Sequence, residues 1–289
     1  MKKSLVTGAA GLLGQNLVSK LISGFTVEAL DIAERPFEPH PNLSYRKTDL
    51  TDFNPVKALI DRFNPDFIFN CAAYTDVDGC EKHRKLAYDL NIGVVKNLLE
   101  TSFGKIVQFS TDYIFNGENG PYAETDQVDP IGYYGETKLE SEKLIRESPR
   151  NYLIIRTNVL IGSGRNIRPN FITWLIDKLK AGENLRIVTD QFNNPIHAAN
   201  LADVAIEGGT GDIEGVLHVG GASYLSRYEI AIKTAEYFGL DTGLIRPITT
   251  SELEQTAKRP LKGGLKIDRA KSKLKTRLLT FEDALRLMD

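Results

Sequence analysis

Cysteine, histidine and tryptophan are scarce in this sequence of 289 residues, which contains two Cys, four His and one Trp. Neither Cys71 nor Cys80 belongs to a motif with metal-ligand spacing, and the histidines are scattered along the chain. The sequence therefore predicts no metal site. So few cysteines also favour a reducing compartment, and we expect a cytoplasmic protein.

Long apolar runs and a dominant charge of one sign are missing as well. No segment approaches the roughly 18 consecutive apolar residues of a membrane span. Lys and Arg total 36 against 38 Asp and Glu, which gives a net charge of −2, and no basic stripe stands out. We therefore expect neither a membrane-spanning segment nor a nucleic-acid partner. The hydrophobic content of 42% is enough for a sizeable core.

Short apolar strands alternate with amphipathic helices over the first 160 residues. This rhythm predicts an α/β fold, a Rossmann-type doubly wound parallel sheet whose ligands bind at the carboxyl ends of the strands. The predicted strands are Lys3–Val6, Thr26–Asp31, Leu43–Tyr45, Phe67–Cys71, Lys105–Phe109 and Leu153–Arg156. The predicted helices are Leu12–Ile22, Pro55–Phe63, His83–Glu100 and Tyr133–Glu147.

The rhythm changes after residue 160, which predicts a smaller C-terminal substrate-binding lobe. We expect a dinucleotide-binding domain at 1–160 and the lobe at 161–289, with a soft boundary that the chain may cross more than once. Ser226 and Glu229 form a capping box at the start of a helix. Two further segments are predicted to lie at the surface: the turn at Asn193–Pro195 and the lysine-rich stretch 258–275.

A glycine turn between the first strand and the first helix is the strongest motif. Gly8 permits the turn, Gly11 allows the backbone to approach a phosphate, and Gly14 allows the helix to pack close to the strand. The helix N-terminus presents free N–H groups and a partial positive charge to a pyrophosphate. Asp31 ends the second strand, where a carboxylate accepts hydrogen bonds from the adenosine ribose. The motif therefore predicts a bound nicotinamide dinucleotide, and Asp31 slightly favours NAD(H) over NADP(H), although the nearby Arg35 could offset this.

Polar residues follow the strand Lys105–Phe109, at the edge of the sheet where ligands bind. Thr111 is placed to orient a substrate oxygen. Tyr134 and Lys138 lie four residues apart on one face of a predicted helix, where the ammonium would lower the pKa of the phenol. Such a phenol can exchange a proton with a substrate oxygen. The spacing alone equally fits a surface tyrosine beside a solvated lysine, and it is the order of the motifs that favours catalysis.

The chain resembles the extended short-chain dehydrogenase/reductase superfamily, and within it the dTDP-4-dehydrorhamnose reductase family. The similarity is carried by the glycine motif, by the Tyr134–Lys138 pair and by the phrases Asn70–Asp78, Ser110–Phe115 and Arg259-Pro260. The resemblance implies catalytic roles for Thr111, Tyr134 and Lys138, and substrate contacts for Asp112, Tyr113 and Arg156. It implies cofactor contacts for Gly8, Gly11, Leu12, Leu13, Gly14, Asp31, Asp49, Leu50, Ala72, Ala73, Tyr74 and Lys138.

Some positions depart from the family pattern. Asn158-Val159 stand where family members usually have an aromatic residue facing the sugar, and the stretch 190–197 also differs from the family pattern. The sequence therefore does not identify the sugar of the substrate. His197 could either contact the substrate or have a structural role. Some members form a metal-bridged dimer, but Asn16 replaces a bridging glutamate. The resemblance therefore implies, at most, a homodimer that forms without a metal.

The resemblance implies reduction of the 4-keto group of a nucleotide-linked deoxysugar, most simply dTDP-4-dehydrorhamnose to dTDP-rhamnose. A 4-epimerase would use the same Tyr–Lys pair. A 4,6-dehydratase is disfavoured, because Tyr113 stands where those enzymes carry a glutamate. A different alternative is a non-catalytic NAD(P)-binding regulatory subunit, similar to the β subunit of methionine adenosyltransferase.

Overall fold

A seven-stranded parallel β-sheet lies at the centre of the computed structural model, which describes residues 1–101 and 104–288. The strand order is β3-β2-β1-β4-β5-β6-β11, which confirms the predicted doubly wound sheet. The strands are β1 (Lys3–Thr7), β2 (Thr26–Asp31), β3 (Leu43–Lys47), β4 (Phe67–Asn70), β5 (Lys105–Thr111), β6 (Tyr152–Thr157), β7 (Leu160–Ile161), β8 (Leu185–Val188), β9 (Phe192–Asn193), β10 (Ile196–His197), β11 (Gly215–His218), β12 (Leu225–Ser226) and β13 (Ile245–Ile248).

The helices follow the sequence prediction closely, with one interruption. They are α1 (Leu12–Leu21), α2 (Phe53–Phe63), α3 (Val77–Lys82), α4 (Arg84–Tyr88), α5 (Val94–Thr101), α6 (Tyr133–Glu147), α7 (Phe171–Lys180), α8 (Ala198–Thr210), α9 (Arg227–Tyr237), α10 (Asp268–Lys273) and α11 (Phe281–Arg286). The helix predicted at 83–100 is divided by a π-helical turn at Asp89–Gly93. Within this turn the Asn91 side chain accepts the Tyr74 N–H at 2.7 Å and donates to Thr137 at 2.9 Å. A π-helical turn of this kind re-aims a side chain for such bonds.

Both faces of the central sheet are covered by helices, as its apolar strands require. Neighbouring residues of a strand point to opposite faces, and β1 shows this directly. Val6 packs with Leu17 of α1 and Val204 of α8, whereas Leu5 packs on the other side with Val56 of α2. The carboxyl ends of the strands therefore meet at one edge, held from both sides.

The chain returns to the sheet after residue 160. Strand β11 pairs in parallel with β6, and α8 shares the hydrophobic core of α1. Residue 160 therefore does not separate two independent hydrophobic cores. The assignment of residues 161–289 to a substrate-binding lobe stays a prediction. The remaining elements form the smaller lobe, in which α7, α9, β8 and β13 pack around their own apolar cluster.

The turn predicted to lie at the surface at Asn193–Pro195 is buried, whereas the lysines of the stretch 258–275 are exposed as predicted. Asn194 is only 5% exposed, and its side-chain amide is paired with the backbone of Leu265, donating at 3.0 Å and accepting at 2.9 Å. Leu265 belongs to residues 257–266, which we call the C-terminal strap and within which Gly263, Gly264 and Leu265 are buried. His197 is structural, since its Nδ1 caps α8 by accepting the Ala199 N–H at 3.1 Å.

A buried ionic network joins β6, β11 and α6. Arg156 donates to Glu142 from Nε at 2.9 Å and from Nη2 at 2.8 Å, and both side chains are almost inaccessible to solvent. Nη1 of Arg156 lies 3.2 Å from Nε2 of His218, whose Nδ1 lies 3.0 Å from the Tyr122 carbonyl oxygen. The carbonyl can only accept, so Nδ1 carries the proton and Nε2 accepts from the guanidinium. Burial and the Arg156 charge lower the pKa of His218 to about 3.

We expect acidification to destabilise the fold through His218. The folded-state pKa of about 3 lies below the ordinary value of 6.5, so between these values the unfolded chain binds the additional proton. The stabilisation is fully present above pH 6.5 and is lost as the pH falls toward 3. Between pH 6.5 and pH 5 the loss is about 2 kcal/mol, measurable by urea unfolding. The variant His218→Gln should lack this component, and identical slopes for both proteins would contradict the assignment.

Among the described residues, no helix combines the length and the apolar character that crossing a membrane requires.

Candidate active site

The glycine turn has the shape of a phosphate cradle. Gly8 has a φ of +62°, which favours glycine. A Cβ on Gly8 would lie 2.6 Å from the Ala72 nitrogen, and a Cβ on Gly14 would lie 2.3 Å from the Gly8 carbonyl oxygen. Gly11 precedes α1 and supplies no side-chain cap, so the first N–H groups of the helix face the turn and suit an anion.

A cavity of about 550 Å³ extends from the glycine turn along the ends of β2 and β3. We call it the adenosine-side cavity. Asp31 lies in its wall, where Oδ2 accepts the Ala10 N–H at 2.9 Å and Oδ1 accepts the Ala33 N–H at 3.0 Å. The carboxylate therefore ties the glycine turn to the end of β2. The other predicted cofactor residues in this wall are Gly8, Gly11, Leu12, Asp49, Leu50, Ala72 and Ala73.

A second cavity, of about 460 Å³, continues from the same glycine turn toward the end of β5. We call it the catalytic cavity. Its wall contains the predicted catalytic residues Thr111, Tyr134 and Lys138. The predicted residues Leu13, Gly14, Asp112 and Tyr113 also line it, and Gly8, Gly11, Leu12 and Ala73 are common to both cavities. A dinucleotide lying across the glycine turn would therefore reach both cavities.

The close packing of α6 on the end of β5 brings these side chains together. Gly135 allows this approach, because a Cβ there would lie 2.2 Å from the Tyr113 carbonyl oxygen. The rings of Tyr113 and Tyr134 meet edge to face, with centroids 5.7 Å apart. Thr111 precedes a 3-10 turn, and its hydroxyl accepts the Tyr113 N–H at 3.2 Å. The backbone thus fixes the orientation of the threonine beside Tyr134.

Burial has opposite effects on the two titratable groups of the Tyr–Lys pair. It raises the pKa of the Tyr134 phenol well above its ordinary range, and a hydrogen bond with Thr111 only partly offsets this. The expectation of a lowered phenol pKa is therefore wrong for the protein without ligands. Burial also lowers the pKa of Lys138 to about 8, although the charge of Glu142 opposes it. At neutral pH the phenol is protonated and can donate its proton.

Asp112 connects the catalytic cavity to the C-terminal strap. Its Oδ2 accepts the Gly264 N–H at 3.1 Å, and its side chain is only 4% exposed. Burial raises the pKa of Asp112 to about 6, while the Gly264 N–H and the positive charge of Arg227 oppose the shift. The carboxylate therefore positions the strap beside the catalytic residues.

Two arginines near this end of the cavity are absent from the sequence-based site. Burial raises the pKa of the Tyr113 phenol, and the charges of Arg227 and Arg259 partly oppose this shift. Arg259 belongs to the C-terminal strap and donates to Asp78 at 2.8 Å. The Arg259-Pro260 motif, which is part of the family resemblance, could have indicated Arg259 from the sequence. No sequence motif indicated Arg227 apart from its position within the capping box, because packing between distant parts of the chain brings it to the site.

Two residues implied by the resemblance lie elsewhere. Arg156 is 1% exposed, is committed to Glu142 and His218, and lies outside the walls of both cavities. The implied sugar contact of Arg156 is therefore replaced by a structural role. Tyr74 also lies outside both walls, since its backbone pairs with Asn91 and its hydroxyl lies against Gly79.

The fold and the site define an NAD(P)-dependent oxidoreductase of the extended short-chain dehydrogenase/reductase class. The chain belongs to the RmlD substrate binding domain family, which it matches over residues 1–288. A probable low-salt glycan biosynthesis reductase of Haloferax volcanii is 32% identical, covering 99% of this chain and 97% of that protein. The dTDP-4-dehydrorhamnose reductase of Aggregatibacter actinomycetemcomitans is also 32% identical, with coverages of 90% and 89%.

Structural similarity extends over the whole chain. The crystal structure of dTDP-4-dehydrorhamnose reductase from Bacillus anthracis in complex with NADP superposes with a TM-score of 0.88 at 28% identity, covering 99% of this chain and 98% of that one. The chain is also similar to a protein that is not named as a reductase. Methionine adenosyltransferase 2 subunit beta of Bos taurus is 31% identical, covering 86% of this chain and 76% of that protein.

Proposed function

We propose that this protein reduces the 4-keto group of a nucleotide-linked deoxysugar, with dTDP-4-dehydrorhamnose as the favoured substrate. One observation carries the proposal: Thr111, Tyr134 and Lys138 line one cavity that continues from the glycine turn. The names of the two reductases at 32% identity support the same reaction class.

The residues of the cavity account for each part of such a reduction. A reduced nicotinamide, when bound, would supply the hydride for the carbonyl carbon. Thr111 orients the carbonyl oxygen, and Tyr134 donates its phenolic proton to that oxygen as negative charge develops on it. Lys138 holds the cofactor ribose and stabilises the resulting phenolate, which then regains a proton from water. The raised pKa of Tyr134 ensures that the proton is present at the start.

The cluster of Asp112, Tyr113, Arg227 and Arg259 fits the remainder of the substrate. We propose that the two guanidinium groups bind the diphosphate, because planar guanidinium pairs well with phosphate oxygens. Asp112 and Tyr113 then contact the sugar. A homodimer and a cytoplasmic location remain predictions, the former testable by light scattering of the purified protein.

We expect a modest preference for NADH over NADPH. Asp31 and Glu34 line the adenosine-side cavity, and their charges repel a 2′-phosphate. The measurement is kcat/KM for both cofactors at one ionic strength. A clear preference for NADPH would contradict the prediction and would show that basic residues outweigh the carboxylates.

The decisive experiment offers the purified protein a panel of dTDP-linked 4-keto-6-deoxysugars with NADH or NADPH. Loss of reduced-cofactor absorbance with one of them, together with an alcohol product, is the expected result. Interconversion of C4 epimers without net cofactor consumption would instead support a 4-epimerase.

A regulatory subunit is the second candidate, since the methionine adenosyltransferase subunit is nearly as similar as the reductases. A crystal structure with cofactor separates the two functions. For a reductase we expect the Tyr134 oxygen within about 4–5 Å of nicotinamide C4, with room for a ketone beside Thr111. A catalytic cavity blocked in every crystal form, with no turnover in the substrate panel, would favour the regulatory function.

A further inference from the structure

The adenosine-side cavity carries positive charge that the proposed reaction does not use. Residues 162–170, which we call the arginine loop, connect β7 to α7 and form one wall of this cavity. Arg165 and Arg168 of the loop line it together with Asp31 and Glu34. The carboxylates and the guanidinium groups that line this cavity would act in opposite directions on a phosphate bound in it.

Side-chain hydrogen bonds fix the arginine loop against the glycine turn. The Gln15 amide of α1 accepts the Arg165 N–H at 2.9 Å and donates to the Arg165 carbonyl at 2.8 Å. The same Nε2 also donates to the Ala10 carbonyl of the turn at 2.7 Å. At the base of the loop, Asn170 donates to the Gly162 carbonyl at 2.6 Å. The loop therefore has a defined position relative to the phosphate cradle.

The Arg165 guanidinium forms an ion pair with the segment that follows β2. Its Nη1 lies 2.6 Å from Oε1 of Glu38, and the side chains are 64% and 76% exposed. The charge of Arg165 lowers the pKa of Glu38. An ion pair this exposed contributes little to stability and can be exchanged at small cost. Glu38 therefore holds the guanidinium of a residue that lines the adenosine-side cavity, and this bond is readily exchanged.

Arg35, the base closest in sequence to Asp31, is engaged elsewhere. Its Nε donates to the Phe37 carbonyl at 2.9 Å and its Nη2 donates to the Glu38 carbonyl at 3.0 Å. Arg35 also lies outside the wall of the adenosine-side cavity. The positive charge at the ribose end of the groove therefore comes from the arginine loop, well over a hundred residues further along the chain.

We propose that Arg165 binds the 2′-phosphate of NADP and exchanges Glu38 for that phosphate when the cofactor enters. In this exchange the exposed carboxylate of Glu38 is replaced by the 2′-phosphate dianion, to which a guanidinium can donate two N–H hydrogen bonds. Arg165 thereby offsets the repulsion by Asp31, and it makes an NADH-leaning site able to accept NADPH. This inference rests on the proposed use of a nicotinamide cofactor.

The test is a calorimetric comparison of four ligands: NADPH, NADH, 2′,5′-ADP and 5′-AMP. With Arg165→Ala we expect Kd to rise about tenfold for NADPH and 2′,5′-ADP, and less than about twofold for NADH and 5′-AMP. Glu38→Gln should tighten only the two ligands that carry a 2′-phosphate, because their competitor is removed. The matched control is Arg62→Ala, which deletes an equal charge at an exposed position of α2 outside the cavity wall and should leave the ratio of affinities unchanged.

Each other result has a definite meaning. If Arg165→Ala weakens all four ligands equally, the guanidinium attracts phosphate in general and the inference is wrong. If Arg165→Ala changes the Kd of none of the four ligands, Arg165 only forms a surface ion pair with Glu38, and the inference is also wrong. The adenosine ligands report on this site without turnover. Failure of the wild-type protein to bind NADH or NADPH at all would instead overturn the proposed function, and this inference with it.

Discussion

Replacing Tyr134 with Phe should lower the turnover of carbonyl reduction by about 10²-fold or more, because the proton donor is removed while the ring remains. The edge-to-face contact with Tyr113 does not need the hydroxyl, so the cavity should keep its shape. Cofactor affinity should be nearly unchanged. Stopped-flow absorbance of the reduced nicotinamide gives the rate, and a titration gives the affinity.

Tyr133→Phe is the matched control for this prediction. Tyr133 precedes Tyr134 on α6, yet its ring lies under the Arg84 guanidinium at 4.6 Å and outside the catalytic cavity. Its activity should be that of the wild type. A loss of less than about threefold in Tyr134→Phe would exclude Tyr134 as the proton donor.

Lys138→Ala should reduce turnover by about 10²-fold and also weaken cofactor binding. Both effects are expected, because one ammonium in the catalytic cavity has to hold the cofactor ribose and stabilise the phenolate. Lys143→Ala offers a control on the same helix, since Lys143 is exposed and pairs with Glu140 at 3.4 Å. A variant that loses rate but retains full cofactor affinity would separate the two roles and contradict the second.

The pH dependence adds an independent measurement of Lys138. Its pKa is lowered to about 8, so the ammonium is present below that value and is lost as the pH rises through it. We therefore expect kcat/KM, which reports on the free enzyme, to fall above about pH 8. Tyr134 has a raised pKa and should not contribute in this range. A profile that stays level up to pH 10 would show that the charge on Lys138 is dispensable.

Local sequence signals predicted the elements that carry the cofactor site. The apolar run before Gly8 and the helical periodicity after it place the turn correctly, since both depend only on neighbouring residues. The helix Tyr133–Glu147 was predicted with the bounds observed, and its i, i+4 geometry brings Tyr134 and Lys138 into one cavity wall. The capping box at Ser226 is likewise confirmed.

Features that depend on distant parts of the chain were not predictable in this way. Thr157 lines the catalytic cavity, whereas its neighbour Arg156 points to the opposite face of β6 and meets Glu142. Without the partners of the strand, the sequence does not reveal which face is which. The lysine-rich stretch is polar and aperiodic, yet Gly264 and Leu265 are buried through contacts to Asp112 and Asn194.

The late arrival of β11 has a consequence for biosynthesis. Until the ribosome has synthesised β11, β6 is an unpaired edge strand of the central sheet. Its apolar residues Leu153–Ile155 lack the strand Gly215–His218 with which they pair in the folded protein. Such an edge invites pairing with other nascent chains. We expect fragments ending near residue 160 to aggregate when expressed alone, and circular permutants that keep β6 and β11 together to remain soluble.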